Sequence, residues 1–337
     1  MLEIDGSHGE GGGQILRTAV AFSAVTGIPC RITNIRANRP NPGLKPQHLM
    51  GIKAAAEICD ADTQGVHNGS KCIEFIPHGI SGGEYTIEIG TAGSITLILQ
   101  VLTPICLFSA QPVQLTVTGG TDVKWSPSIA YFEKIFCSIL EKMDAHVEIT
   151  VNRYGFYPKG GGKVTAVIHP WEHRKGLTLT ERGSVKSIEV ISIASSFLEN
   201  VKVAEKQYEA FGKWFPGYAV RGDTSYVDTL NPGSSVCGIA HCGHSVLGAD
   251  SLGERGKPAE KVGSEAASAL KEEIGSGAAL DVHMGDQIIP YLALAGGEVT
   301  MSQVSNHTRT SIWVCEQLVN TKFAVEGTRV AVVREGK

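Results

Sequence analysis

A glycine-rich segment near the start of the chain has the residue types of an anion-binding turn. Residues 6–17 read Gly-Ser-His-Gly-Glu-Gly-Gly-Gly-Gln-Ile-Leu-Arg and lead into a predicted helix over 14–26. Backbone N–H groups at a helix start favour an anion, and glycines let a phosphate approach closely. Gln14 breaks the dinucleotide fingerprint, and no Gly-Lys-Ser/Thr follows as in a Walker loop. Composition leaves a plain turn and a phosphate cradle both open, and Glu10 and Arg17 on either side favour the cradle.

A second polar segment joins a predicted strand to a predicted helix and carries two arginines. Residues 36–48 read Arg-Ala-Asn-Arg-Pro-Asn-Pro-Gly-Leu-Lys-Pro-Gln-His. The forked guanidiniums of Arg36 and Arg39 suit a multiply charged phosphate, whereas the simpler alternative is a solvated turn. Gln47 and His48 are oddly polar for a mere helix cap, which favours phosphate binding.

Two further segments place polar residues where a predicted strand meets a predicted helix. Residues 119–127 read Gly-Gly-Thr-Asp-Val-Lys-Trp-Ser-Pro, and Ser126 and Pro127 are interpreted as the N-cap and first residue of a helix. Residues 283–287 read His-Met-Gly-Asp-Gln, in which Asp286 is either an N-cap or a functional group.

A histidine stands at a fifth junction of this kind. Residues 305–311 read Ser-Asn-His-Thr-Arg-Thr-Ser. A lone histidine is usually capped or solvated. His307, however, shares its position at a strand-to-helix edge with the other four segments, and such edges converge on the ligand crevice in α/β folds. The five segments therefore indicate one binding site.

Apolar periodicity predicts a repeated α/β unit that positions these segments. The order β-α-β-α-β-β begins at residue 2 and ends with a strand over 85–89, and the same order recurs from residue 94 to 168. A third copy begins with a strand over 279–282 and runs to residue 332. The pattern indicates an α/β fold with three copies of one unit.

The stretch between the second and third copies predicts a smaller domain. Residues 185–277 have their own strands and helices, which favours an inserted α/β domain. The large domain would comprise residues 1–184 plus 278–337, with one continuous domain as the alternative.

Composition excludes several classes of protein. Lys and Arg number 30 and Asp and Glu 34, so the net charge of 30 − 34 = −4 excludes a generally basic nucleic-acid coat. No apolar run reaches the roughly 18 residues of a membrane span, and the start lacks a signal-peptide pattern, so we expect no membrane association. Eight cysteines at scattered spacings predict a reducing, cytoplasmic location.

A cysteine- and histidine-containing segment of the insertion raises the alternative of a structural metal. Cys237, His241, Cys242 and His244 lie close together in the sequence. Zinc sites generally combine two ligand pairs from separate segments, and no second pair follows this one. The spacing therefore leaves this metal site open without predicting it.

Six ordered motifs resemble the RNA 3′-terminal phosphate cyclases over essentially the whole chain. The motifs are residues 9–17, Arg36-Ala37-x-Arg39 with Pro42-Gly43-Leu44 and Gln47-His48, residues 119–123, Gly-Glu-Arg-Gly-Lys-Pro-Ala-Glu at 253–260, Asp286-Gln287, and His307. The resemblance implies a large domain of three repeated units, each like the C-terminal domain of translation initiation factor three, with a smaller inserted domain.

The resemblance also implies an ATP-dependent reaction on RNA that carries a 3′-phosphate. His307 would take AMP from ATP through its Nε2 atom and release pyrophosphate. The AMP would then pass to the RNA 3′-phosphate, and the adjacent ribose 2′-OH would close a 2′,3′-cyclic phosphate and release AMP.

The same resemblance assigns the remaining site residues to three ligands: a divalent cation, the nucleotide, and the phosphate or RNA. Glu10 would hold a divalent cation, Mg²⁺ or Mn²⁺, on the nucleotide phosphates. Many relatives have tyrosine where His283 stands, so we expect weaker or pH-sensitive stacking on adenine. The nucleotide-binding residues would be Arg17, Gln100, Pro127, His283, Met284, Gly285, Asp286 and Gln287. The residues for phosphate or RNA would be Arg36, Arg39, Gln47 and His48.

Two alternatives compete with this reaction. A non-catalytic cyclase-like scaffold of ribosomal RNA processing would keep the fold and lose the nucleophile. The presence of His307 together with Glu10, Arg17, Arg36 and Arg39 argues against it. An enolpyruvyl transferase would share repeated α/β units and basic residues but need neither ATP nor a histidine nucleophile. Whether the chain forms a homodimer stays open.

Overall fold

Short strands of alternating burial form four small mixed sheets, on which the helices pack. The computed structural model describes residues 1–9 and 11–333, and the sheets lie within those ranges. In β6 (Val113–Gly119), for example, every second residue is buried, as expected for a strand with one face on a core. The predicted α/β class is confirmed.

The bounds of the elements follow. The other strands are β1 (Leu2–Asp5), β2 (Cys30–Thr33), β3 (Asp62–Gln64), β4 (Ile73–Ile76), β5 (Gly83–Glu88), β7 (Val147–Arg153), β8 (Gly162–Ile168), β9 (Leu177–Leu179), β10 (Val185–Ser195), β11 (Val220–Val227), β12 (Ser234–Cys242), β13 (Val246–Leu252), β14 (Gly297–Thr300), β15 (Lys322–Glu326) and β16 (Arg329–Val333). The α-helices are α1 (Gly13–Thr26), α2 (Pro46–Ile58), α3 (Ile95–Cys106), α4 (Ile129–Tyr131), α5 (Cys137–Glu141), α6 (Val203–Gly212), α7 (Ala259–Ser276), α8 (Val282–Ala295) and α9 (Asn306–Leu318). A π-helical turn, Phe132–Phe136, joins α4 to α5, and a 3-10 helix, Ser196–Val201, precedes α6.

Three of the sheets share one topology. Their orders are β1-β2-β4-β3, β5-β6-β8-β7 and β9-β14-β16-β15. Counted in chain order, the first strand of each sheet pairs in parallel with the second. The second and third strands each pair antiparallel with the fourth. The order of the fourth sheet, β11-β10-β12-β13, is different.

The sequence assigned one strand to the wrong sheet. Residues 85–89 were expected to complete the first unit, but β5 pairs with β6 and begins the second sheet. The first sheet is completed instead by β3, whose three residues are all exposed. Since β3 has no apolar residue to alternate, hydrophobic periodicity gives no signal for it.

The predicted first strand of the third unit is also wrong. Leu280 forms only an isolated bridge with Met301, and α8 already begins at Val282. The third sheet begins with β9, which precedes the insertion and pairs in parallel with β14. The chain thus leaves this unit after its first strand and returns at its first helix.

The inserted segment has its own core on one face of its sheet. Helices α6 and α7 pack on that face, where Phe211, Val236 and Leu270 are buried. Cys237 and Ile239 point the other way and join the larger core, as the alternation of a strand requires. The division at residues 185–277 stays a prediction.

The fully buried carboxylate of Asp281 joins the insertion to the large core. Its Oδ1 accepts hydrogen bonds from the Tyr131 hydroxyl at 2.5 Å and from the Met284 N–H at 2.9 Å. Its Oδ2 accepts from the Gly248 N–H in β13 at 2.9 Å. Burial raises the pKa of Asp281, and these hydrogen bonds oppose the shift.

A second carboxylate, that of Asp250 in β13, accepts a hydrogen bond at the start of α4. Asp250 accepts the backbone N–H of Ser128 at 2.7 Å, and the Ser128 hydroxyl caps α4 by accepting the Tyr131 N–H at 3.2 Å. The N-cap is therefore Ser128, and the prediction of Ser126 with Pro127 is wrong. The contact that fixes Ser128 comes from Asp250, which is far away in the sequence, so local residue patterns do not reveal it.

We expect Asp281→Ala to destabilise the fold by about 3 kcal/mol, because three buried donors lose their acceptor. Urea unfolding followed by circular dichroism measures the change. The exposed Asp223 on β11 gives the control, and Asp223→Ala should change the free energy of unfolding by less than about 0.5 kcal/mol. Equal effects of the two substitutions would contradict the role given to Asp281.

The buried Asp122 should make stability depend on pH. Burial raises its pKa from 3.8 to about 6, with a further rise from nearby Asp250, although the Thr121 hydroxyl donates to Asp122 at 2.6 Å. Between these two pKa values the native state binds more protons than the unfolded state. The free energy of unfolding should therefore fall, by on the order of 3 kcal/mol, as pH rises from about 4 to about 6. Asp122→Asn should remove this fall, so that wild-type and variant urea curves taken across the window diverge. A constant difference between them would argue against the shift.

Candidate active site

Several of the candidate residues lie near the N-termini of helices that pack against one another. Gln47, in the first turn of α2, accepts the N–H of Ser94, the N-cap of α3, at 3.2 Å. Helix α1 packs against α2, α3 and α9, and α8 packs against α9. Because a helix N-terminus carries partial positive charge, neighbouring helix starts favour an anionic ligand.

The glycine-rich turn before α1 is enclosed by polar side chains. A Cβ atom on Gly11 would lie 2.5 Å from Asn38 Nδ2, and one on Gly13 would lie 2.4 Å from His48 Nε2. Gly9 and Gly11 also have φ of +56°, a conformation that favours glycine. A Cβ on Gly9 would meet Thr310 of α9 at 2.6 Å. The glycines are thus required for the close approach of Asn38, His48 and Thr310.

Three arginines surround this turn. Burial lowers the pKa of Arg17 to about 10, so its guanidinium still carries charge near pH 7. Arg36 donates to the carbonyl oxygens of Asn41 at 2.8 Å and Gly43 at 2.9 Å, and burial and Arg39 lower its pKa. Within residues 1–9 and 11–333, no carboxylate forms an ion pair with Arg17 or Arg36. Arg39 lies beside Gly12 and Arg17 beside Gly13, so these arginines form a cationic cluster with Arg36 at the turn.

His48 contributes a neutral donor to the same place. Burial lowers its pKa to about 3, with repulsion from Arg17, Arg36 and Lys45 acting in the same direction. Its Nδ1 atom accepts the N–H of Lys45 at 3.3 Å. The proton of the neutral ring is therefore assigned to Nε2, beside Gly13.

The predicted nucleotide residues form a second group around α3 and α8. Gln100 Nε2 donates to Gln287 Oε1 at 2.7 Å, and Gln287 donates to the carbonyl of His283 at 3.0 Å. The exposed His283 ring meets Tyr131 edge-on, with centroids 6.2 Å apart. The carbonyl of Pro127 accepts from Thr96 at 2.9 Å.

Residues 283–287 lie inside a helix rather than before it. Asp281 is the N-cap of α8, so the interpretation of Asp286 as an N-cap of its own helix is wrong. Asp286 instead accepts from Ser305 at 2.5 Å and Thr308 at 2.7 Å, the two residues of the capping box that begins α9. Of this segment, Met284 is fully buried and Gly285 packs on Met301. The side chains that stay accessible to a nucleotide are therefore those of His283, Asp286 and Gln287.

His307 is half-buried in the first turn of α9. The carboxylate of Asp286 lies close to both His283 and His307, which lower its pKa, while burial has the larger effect and raises it. His8 stacks on Trp313 with centroids 4.0 Å apart, which joins the glycine-rich turn to α9. The structure thus brings His307 next to both the nucleotide group and the turn.

The metal predictions have different outcomes. Glu10 lies outside the described residues, so its role stays a prediction. Of the cluster left open in the insertion, Cys237 is buried and His241 contacts Glu189 at 2.7 Å. No group of three or more His, Cys, Asp or Glu placed to hold a metal occurs in the part of the chain that the structure describes.

Sequence reasoning missed three residues that shape the site. Asn38 donates to the carbonyl of Ser7 at 3.2 Å and clamps the turn, Thr310 contacts Gly9, and Asp281 fixes the start of α8. Asn38 lay between the two predicted arginines, and Asp281 stands directly before the predicted segment, so an N-cap search would have found it.

Among the helices of the described residues, none combines the length and apolarity that a bilayer crossing needs. A family profile described as RNA 3′-terminal phosphate cyclase matches residues 8–325. The chain is 45% identical to the RNA 3′-terminal phosphate cyclase of Pyrococcus abyssi over 99% of both chains. It is 46% identical to that of Methanosarcina barkeri over 97% of both chains. By this extent of similarity, the chain belongs to the RNA 3′-terminal phosphate cyclase family.

Proposed function

We propose that the protein is an ATP-dependent ligase that converts an RNA 3′-terminal phosphate to a 2′,3′-cyclic phosphodiester. The names of its relatives and the family match support this activity. The observation that carries the proposal is the position of His307, on a helix whose Thr310 and Trp313 meet Gly9 and His8 of the glycine-rich turn.

His307 acts as the nucleophile in the first step. A neutral imidazole is a good nucleophile near pH 7. Its Nε2 atom forms a bond to the α-phosphorus of ATP while the bond to the bridging oxygen breaks and pyrophosphate leaves. The N–H groups at the start of α9 and the cations around the turn stabilise the developing negative charge.

The second and third steps use the same cationic cluster. An oxygen of the RNA 3′-phosphate attacks the phosphorus held by His307 and takes the AMP. The neighbouring 2′-OH then attacks the terminal phosphorus, losing its proton, and AMP leaves. Two anions must meet in the second step, so Arg17, Arg36 and Arg39 lower its barrier by neutralising charge.

The group around α3 and α8 fits a nucleotide. The linked amides of Gln100 and Gln287 offer donors and acceptors, and the ring of His283 is exposed. Pro127 and His283 are the proposed residues that would flank the adenine. A divalent cation would enter with the nucleotide phosphates, as Mg²⁺ usually does, and Glu10 is its proposed protein ligand. Such a cation would neutralise phosphate charge.

The remaining expectations belong to the same proposal. The substrate is RNA with a 3′-phosphate end, and the location is the cytoplasm. A scaffold without catalysis is not favoured, because the nucleophile and the cations occur together. A homodimer stays open.

The substitution His307→Ala should abolish covalent labelling by ATP carrying ³²P at the α-phosphate, because no other group forms the adduct. The adduct should be acid-labile, stable to alkali and discharged by RNA with a 3′-phosphate. His67→Ala, which removes an exposed histidine between β3 and β4, is the matched control and should label like the wild type. Retained label in His307→Ala would overturn the assignment, and a folded wild type that takes no label would favour the scaffold.

The substitution Arg39→Ala should slow discharge of the adenylated protein by RNA about 10- to 100-fold, the effect of losing one charge-assisted hydrogen bond to phosphate. Its melting temperature should stay within a few degrees of the wild type, since Arg39 is exposed. Arg31→Ala removes an exposed arginine of β2 that pairs with Glu3 and Glu74, and it should leave the rate unchanged. Equal rates for both variants would remove Arg39 from the site.

A further inference from the structure

Two large aromatic rings project into solvent from neighbouring loops. The side chain of Trp125 is 95% exposed and that of Tyr157 is 75% exposed. Such rings usually bury much of their surface in a core or at an interface. Their exposure indicates a surface that is covered when a ligand binds.

The loop of Trp125 is held in a conformation that maintains this exposure. Trp125 has φ of +69°, which a residue with a side chain rarely adopts. Lys124 on one side pairs with Glu254 of the insertion at 2.7 Å, and Ser126 on the other donates to the carbonyl of Val123 at 2.9 Å. An unusual backbone conformation fixed by its neighbours is a reason to look for function.

The second loop lies directly beside the first. Asp122 and Phe156 form a parallel bridge, and the Thr121 N–H donates to the carbonyl of Gly155 at 2.9 Å. Tyr157 follows Phe156 immediately. The two rings therefore belong to one surface, which we call the aromatic platform: Trp125 and Tyr157 with the loops 121–127 and 155–160.

The aromatic platform adjoins the candidate active site. Gly120 bridges Ser94, the N-cap of α3 that Gln47 contacts, and a Cβ on Gly160 would lie 2.8 Å from Ala92 Cα. Pro127, a proposed nucleotide residue, is two positions after Trp125. A polynucleotide whose end lies among the arginines therefore has this surface next to it.

The charges at the platform suit a polyanion. Lys159 and Arg255 are exposed, and neither forms an ion pair with a residue in 1–9 or 11–333. Aromatic rings interleaved with cations are the combination that binds single-stranded nucleic acid, because every base has a face that stacks. A protein partner of mixed charge would not require both exposed aromatic rings and unpaired cations, so these features favour a nucleic acid as the ligand.

We propose that the aromatic platform stacks the unpaired bases that precede the 3′-terminal nucleotide of the RNA, with Trp125 as the main contact and Lys159 and Arg255 on the backbone phosphates. The inference rests on the proposed function, because it takes RNA as the substrate. It adds a requirement that the 3′ end be single-stranded over its last nucleotides.

Equilibrium binding of a fluorescein-labelled, single-stranded RNA with a 3′-phosphate tests the platform without relying on adenylation. Trp125→Ala should raise the Kd about 5- to 100-fold, the range for losing one stacked base. Trp125→Phe should restore most of the affinity, because a phenyl ring also stacks. Trp214→Ala, at the end of α6 where Trp214 lies over Lys271, is the matched control and should leave the Kd unchanged.

An RNA probe with an abasic site next to its 3′-terminal nucleotide separates stacking from other effects. The wild type should bind this probe more weakly than the intact RNA, whereas Trp125→Ala should bind both equally. A wild-type Kd for Trp125→Ala, or equal abasic penalties in both proteins, would overturn the proposal. Sedimentation of the wild type and Trp125→Ala tests whether the aromatic platform binds a second copy of the chain instead of RNA. Loss of self-association in Trp125→Ala with unchanged RNA affinity would also overturn the proposal.

The proposed reaction and the proposed role of the aromatic platform can be disproved independently of each other. A wild type that binds RNA through Trp125 but takes no AMP would contradict the proposed reaction and support the platform. Labelling and discharge that proceed normally in Trp125→Ala, with unchanged Kd, would support the reaction and contradict the platform.

Discussion

The buried carboxylate of Asp281 is the constraint on which the arrangement of the site depends. A desolvated charge is stable only when its hydrogen-bonding capacity is met, and here the donors come from three segments: Tyr131, Met284 and Gly248. The start of α8, the helix after Pro127 and the strand β13 therefore cannot shift independently. Because β13 belongs to the inserted segment, the insertion is part of the framework that positions His283, rather than an appendage to it.

A second carboxylate, that of Asp286, fixes the position of α8 relative to the start of α9, where His307 lies. Asp286 stands one turn into α8, yet its hydrogen bonds go to Ser305 and Thr308 at the start of α9. A residue of the proposed nucleotide group thus binds the capping box of the helix that carries the proposed nucleophile. The glycines of the first turn let the residues of α2 and α9 approach it closely.

The sequence predicted the site best where the candidate functional residues occur in short local patterns. Glycines without side chains, arginines after a strand and a histidine near a helix start all identified segments that the structure brings together. Long-range relations escaped it: β3 has no buried residue, β9 lies on the far side of the insertion from its sheet partners, and Asp286 caps a helix other than its own. Periodicity reports which residues face a core, and it carries no information about which strand pairs with which.

The net charge of −4 fits the proposed RNA substrate once the location of the charges is considered. Affinity for a polynucleotide grows with the number of phosphates that meet cations. In the proposed reaction, Arg17, Arg36 and Arg39 would neutralise the terminal phosphate, and Lys159 and Arg255 would meet only the phosphates next to the end, while the net negative charge of the chain would give more distant phosphates little attraction. Selectivity for an end over the far more numerous internal phosphates then follows from the small size of the cluster. Stacking on exposed rings adds affinity that does not depend on charge, so it strengthens binding of the end without weakening that selectivity.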